Sequence, residues 1–84
     1  MEIVVTPHFK REAKRLPLHL RPQIQERLRI FQDNPFHPSL KTHKLHGAFH
    51  GFWSFSIDRR IRVIFEFADG LAVFHSIGDH SIYD

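Results

Sequence analysis

The sequence contains no cysteine, which removes disulfides, thiolate nucleophiles and thiolate zinc sites together and points to a reducing cytoplasm rather than a secreted scaffold. No apolar run approaches the ~18 residues of a membrane-spanning helix. The opening Met1-Glu2-Ile3-Val4-Val5 has neither the basic nor the apolar region of a signal peptide. A soluble cytoplasmic protein without a membrane partner is therefore expected. Repeats and low-complexity tracts are absent too. With 84 residues there is no room for a second core, so residues 1–84 are expected to form a single domain. Glycine is sparse and Trp, Tyr and Met occur once each, but Phe occurs nine times, and those rings can supply the large buried areas a small core needs.

Acidic residues are the other scarcity. Nine Asp and Glu face twelve Lys and Arg, for a formal charge of +3 and a pI near 9.8. Every cation lies between Lys10 and Arg62, where the only carboxylates are Glu12, Glu26, Asp33 and Asp58. Eight histidines add charge that appears near pH ~6.5 or beside a polyanion. Affinity for nucleic acid comes largely from neutralising backbone phosphates, so a polyphosphate partner is the leading expectation.

Along the chain, Glu2-Ile3-Val4-Val5 reads as a short strand, and Thr6-Pro7 supplies an N-cap hydroxyl and a proline at the first helical position. Phe9, Ala13 and Leu16 then recur at helical spacing among Lys10, Arg11, Lys14 and Arg15, until Pro17 ends the helix. A second helix is predicted over Leu18–Asp33 from Leu20, Ile24, Leu28 and Phe31, with Pro22 in its first turn and Asn34-Pro35 as its stop. The stretch 35–50 has no periodicity and reads as a long basic loop. Three alternating runs follow, Phe52–Asp58, Arg60–Phe67 and Leu71–Ile77, with Asp69-Gly70 as a turn. The fold class is α+β: an N-terminal strand and a two-helix hairpin on one face of a mainly antiparallel sheet that ends in a three-stranded meander. Period two puts Trp53, Phe55, Ile57, Ile61, Val63, Phe65, Phe67, Leu71, Val73 and Ile77 on the dry face. It leaves Ser54, Ser56, Arg60, Arg62, Ile64, Glu66, Phe74 and Ser76 on the wet one.

Function is expected on the wet face and in the loop. Lys41, His43, Lys44, His46 and His50 can grip phosphates while an imidazole moves a proton; a merely solvated loop is the plain alternative. The spacing His43-x-x-His46-x-x-x-His50 also suits a metal, but Gly47 opposes the helix that would align the rings, and no metal is expected. Arg62, mid-strand, can hold two oxygens of a scissile phosphate, or can simply pair with Glu66. His80 and Tyr83 follow Gly78 at a strand end, as a proton-transferring pair or as a frayed terminus. His75 reads as a buried structural histidine. Ser56, Arg60 and Phe74, with Lys41, Lys44 and His46, complete the expected RNA contacts.

The order strand, two helices, basic loop and meander, with Arg60-Ile61-Arg62-Val63-Ile64-Phe65 and the ending Ile77-Gly78-Asp79-His80-Ser81-Ile82-Tyr83, resembles the RelE/ParE superfamily of bacterial toxins. The loop Leu40–Leu45, Gly47, Trp53 and the Gly78-Asp79-His80 ending are most similar to its YafQ-like branch. That resemblance implies a RelE-like fold and an mRNA endonuclease, or mRNA interferase, acting in the ribosomal A site. A cognate antitoxin encoded beside it would neutralise the toxin by covering the basic surface. It implies His43 as general base, Arg62 as the cation on the phosphate, His80 as general acid and Tyr83 as the tail aromatic. Attack by the ribose 2′-hydroxyl would need no metal, cofactor or small-molecule ligand. Three departures bear on these roles: Ser56 stands where YafQ-like members can carry another histidine, Arg59-Arg60 replace acidic and aromatic residues, and Tyr83 follows His80 by three residues rather than four. A ParE-like toxin that binds DNA gyrase without catalysis is the alternative.

Overall fold

Thr6 sets how the chain enters the fold. In the computed structural model, which describes residues 1–83, strand β1 (Glu2–Val5) runs into helix α1 (Pro7–Arg15), and the Thr6 hydroxyl accepts from the Phe9 amide at 3.1 Å. Helix α2 (Arg21–Asp33) is shorter than the sequence predicts. Leu18–Leu20 form a 3₁₀ turn instead, because Pro22, lacking an N–H, fits only at the start of an α-helix. Strands β3 (Trp53–Ser56), β4 (Arg62–Ala68) and β5 (Leu71–Gly78) form the expected meander. Asp69 and Gly70, both at positive φ, make the tight β4–β5 turn.

The sheet has five strands in the order β1-β5-β4-β3-β2, with β1 parallel to β5 and every other pairing antiparallel. Strand β2 is His43–Lys44, so the stretch read as an unstructured loop is not one. It also carries 3₁₀ turns at Pro38–Leu40 and Gly47–Phe49. Two residues cannot announce themselves by periodicity; their pairing with Ser54 and Trp53 makes them a strand.

Both helices cover one face of the sheet. Phe31 of α2 is fully buried, with its ring 4.9, 5.0 and 5.1 Å from those of Phe55, Phe65 and Phe74, while Phe9 of α1 meets Phe74 at 5.6 Å. Burying each such ring contributes roughly 1.5–3 kcal/mol. Phe74 therefore belongs to the core, not to the wet face. Its inward turn is caused by an irregularity: Ile64 pairs with Ser76 but Phe65 pairs with Phe74, leaving His75 as an extra residue. That bulge shifts the phase of β5, so that Ala72, Phe74 and Ile77 point to the helices while Leu71 and Val73 do not. His75 consequently lies on the opposite face, half-exposed, with Nε2 donating to Glu66 Oε1 at 2.9 Å.

The opposite face is not simply wet either. Ser54 and Ile64 are buried there, beneath the segment 47–52 and the chain's tail. Among the described residues, no helix is long and apolar enough to cross a membrane.

Candidate active site

Arg62 opens β4 in a row with Ser56 on β3 and Gly78 on β5, on the face away from the helices. Its guanidinium Nη1 donates to the Asp58 carbonyl at 2.5 Å and to the Ile61 carbonyl at 3.4 Å. The turn it leans on is itself fixed, since the Asp58 carboxylate accepts from the Arg60 and Ile61 amides at 2.8 and 2.7 Å. Glu66 bonds His75 and stands four residues from Arg62 along β4, about 13 Å at ordinary strand rise, so the two do not pair. Among the described residues, the only basic side-chain nitrogens within 4 Å of a carboxylate belong to His8 and His75, and none to a Lys or Arg. No carboxylate among the described residues thus pairs with the side chains of the cationic face.

Arg62 stands between two open clefts. One is shared with Arg59, Arg60, Asp79 and His80; the other holds Arg27, Ser39, Lys41 and Ser56. His80 reaches its cleft because the tail folds back over the sheet. Gly78 permits this, since a Cβ there would lie 2.7 Å from Ile82 Cγ2. The tail then forms a 3₁₀ turn, His80–Tyr83, started by the Asp79 carboxylate accepting from the Ser81 amide at 2.9 Å. The hydrogen bonds from Ser81, side chain first, hold the Asp79 carboxyl below its ordinary value, with smaller help from Arg60 and His80. At the far end the Tyr83 hydroxyl meets the buried Ser54 hydroxyl at 2.7 Å, and its ring packs edge-on at 5.2 Å from His80 and 5.9 Å from Phe49. The tail is pinned at both ends rather than frayed.

His43 lies outside both clefts, exposed, directly opposite Ser54 and so on the same face as the Tyr83 contact. Its Nδ1 is 2.9 Å from the Lys41 carbonyl. A carbonyl can only accept, so the bond puts the proton on Nδ1 and leaves the Nε2 lone pair outward, the tautomer a general base requires. Lys41 supplies that carbonyl from a left-handed conformation, φ 54°, a strain of roughly 1–3 kcal/mol for a residue with a Cβ.

Three expected RNA contacts, Lys44, Phe74 and His46, are placed elsewhere. Lys44 shares its row with Trp53, Phe65 and Phe74 on the helix side, its ammonium 5.5 Å above the Trp53 ring, because alternation along β2 sends it opposite to His43. Phe74 is fully buried by the bulge. His46 and His50 line a hollow beside Trp53, away from Arg62. Among the described residues, no three His, Asp or Glu side chains gather to hold a metal.

Residues not singled out by the sequence also reach the site. From α2, Gln23 Nε2 donates to the Ile57 carbonyl at 3.2 Å and Arg27 Nη1 to the Ser39 carbonyl at 3.3 Å, while the buried Arg27 Nε has no partner. Their i, i+4 spacing beside the apolar stripe was the available signal.

Solved structures share this architecture over nearly its whole length. YafQ from Escherichia coli BL21(DE3) matches with a TM-score of 0.77 at 17% identity, covering 98% of this chain and 96% of that one. A YoeB/ParE toxin from Agrobacterium tumefaciens gives 0.76 at 21% identity, covering 95% and 99%. The RelB-RelE antitoxin-toxin complex from Methanococcus jannaschii gives 0.76 at 20% identity, covering 96% and 95%. No protein-family profile matches the sequence, and no curated protein does. Identities this low with overlap this complete establish a shared architecture: the chain has the RelE/ParE toxin fold.

Proposed function

We propose that this chain is the toxin of a type II toxin-antitoxin pair and that it cuts mRNA on the ribosome. The carrying observation is Arg62, a strand-anchored cation without a carboxylate partner among the described residues, sharing one cleft with the tail histidine His80. In the proposed reaction the ribose 2′-oxygen attacks the adjacent phosphorus as His43 Nε2 takes its proton. The bond from phosphorus to the 5′-oxygen breaks, and His80 protonates that oxygen. A 2′,3′-cyclic phosphate and a 5′-hydroxyl result. Arg62 balances the charge that accumulates on the phosphorane oxygens, and Arg59, Arg60 and Lys41 hold flanking phosphates. Tyr83 orients His80 through their ring contact. The partner that silences the toxin is an acidic antitoxin covering the cationic face, as RelE is solved with the antitoxin RelB.

Cleavage of a reporter mRNA on translating ribosomes tests the reading. His80→Ala is expected to lower the rate about 10²–10⁴-fold, and Arg62→Ala about 10²–10³-fold, with unfolding midpoints retained. Full cleavage by either variant removes that residue from the mechanism. Inhibition of gyrase supercoiling without mRNA cleavage would replace the nuclease with the gyrase-binding alternative.

A further inference from the structure

On the same face as Arg62, beyond the tail, lies a third cleft that the proposed chemistry does not use. Phe49, Phe52, Ile64 and Ile82 form most of its apolar lining, and Thr6, His8, His75 and Ser76 its polar groups, of which the Thr6 and Ser76 hydroxyls already donate to the His75 carbonyl and to Glu12. Ile64 is two residues from Arg62 along β4, about 7 Å at ordinary strand rise. Ile82 and His80 belong to the same tail turn, so one element separates the two clefts. An aromatic hollow this close to a cationic cleft has the form of a seat for a base splayed from single-stranded RNA.

The chemistry of His75 narrows the choice of base. Its ring stands edge-on to Phe52, centroids 5.3 Å apart. Its Nε2 faces the Glu66 carboxylate, which can only accept, so the proton of the neutral ring sits on Nε2. The lone pair is left on Nδ1, which has no partner among the described residues. A hydrogen-bond acceptor beside a stacking surface favours a base with an exocyclic amino group, which adenine, cytosine and guanine have, over uracil, whose one ring donor, N3–H, lies between two carbonyl oxygens that repel the lone pair. We infer that the cleft between the 47–52 segment and the tail seats an amino-bearing base of the mRNA next to the scissile phosphate, stacked on Phe52 and read by His75. The inference rests on the nuclease reading for the identity of the ligand.

The test uses isotope-labelled full-length protein and two dinucleotides, ApA and UpU, each carrying a 2′-O-methyl group that blocks the attacking hydroxyl. NMR titration reads binding without cleavage. Shifts are expected at the ring signals of Phe49, Phe52 and His75, with ApA bound about three- to tenfold more tightly than UpU. Phe52→Leu removes the stacking face and is expected to weaken ApA about tenfold. Should Phe52→Leu fail to fold, Ala48→Trp at an exposed rim position fills the cleft instead and is expected to weaken ApA similarly. His75→Phe keeps an aromatic ring but removes the acceptor, and should bring ApA and UpU level. Shifts confined to Arg59–Arg62 and His80, or equal affinity for ApA and UpU in the unaltered protein, overturn the inference and leave the nuclease reading intact. Cleft shifts in a protein that cuts no mRNA uphold the base seat and end the nuclease reading.

Discussion

The hydroxyl pair Ser54–Tyr83 offers a quantitative test of how the tail is held. Its members differ in one respect: Ser54 is fully buried, while Tyr83 is only half-buried. Tyr83→Phe strands the Ser54 hydroxyl where water does not reach, a desolvation cost of about 1–3 kcal/mol. Ser54→Ala instead leaves the Tyr83 hydroxyl, which can turn to water, so only the net value of the bond is lost, about 0.5–1.5 kcal/mol. The double variant has no orphan and should cost little more than Ser54→Ala. Urea unfolding of the four proteins is therefore expected to rank them wild type, Ser54→Ala close to the double variant, then Tyr83→Phe, with the singles non-additive by about 1 kcal/mol. In a domain of this size, 1 kcal/mol corresponds to about 4–8 °C in Tm. The penalty is capped by the free energy that docks the tail, because a detached tail exposes Ser54 to solvent. Hydrogen exchange at the Ile82 amide, which donates to the Asp79 carbonyl at 3.1 Å, reads that opening directly. If Tyr83→Phe costs no more than Ser54→Ala, and the two effects add, the pinned tail is refuted.

Phe74→Ala should destabilise the fold by about 3–5 kcal/mol in urea titrations; a loss of RNA binding at unchanged stability would return Phe74 to the surface. Gly78→Ala should force Ile82 aside, costing about 1–3 kcal/mol, lowering cleavage and displacing the tail signals in NMR spectra; unaltered tail shifts would show that the close approach is unimportant. Asp79 has its folded pKa lowered, so its contribution is present at neutral pH and is lost as pH falls through the folded value, below about 4. Protection of the Ser81 amide should accordingly fall in acid, while Asp79→Ala should abolish it at pH 7; protection unchanged in that variant would dismiss the cap.

Local signals account for much of what the sequence reveals about the fold. Thr6-Pro7, the Phe9, Ala13 and Leu16 stripe, Pro22 in a first turn and the alternation from Trp53 onward each act through neighbours a few residues away. The rest is non-local. Strand β1 gains its parallel partner only when β5 arrives from the other end of the chain, and His43–Lys44 become a strand only opposite Ser54 and Trp53. The site divides the same way. Arg62 and His80 meet because a strand start and a strand end adjoin across Arg62↔Gly78, a register implied by the meander. Arg27 enters from a helix whose rotation about its axis is set by Phe31, and no local pattern shows that its polar flank reaches Ser39.

The bulge at His75 connects these failures to function. A continuous strand cannot bury both Phe74 and Ile77, three residues apart, since period two sends them to opposite faces. The sequence contained the conflict, and uninterrupted alternation resolved it wrongly by burying Leu71 and Val73. The folded chain inserts one residue, so that Phe74 joins the ring cluster around Phe31 and Ile77 stays inside. The extra residue is the histidine, turned to the face that carries Arg62 and paired with the Glu66 carboxylate. A single irregularity thus completes the core and puts an imidazole with an open acceptor beside Phe52. Deleting His75 would leave Phe74 and Ile77 two residues apart, so a regular strand would keep both in the core while the imidazole beside Phe52 is lost.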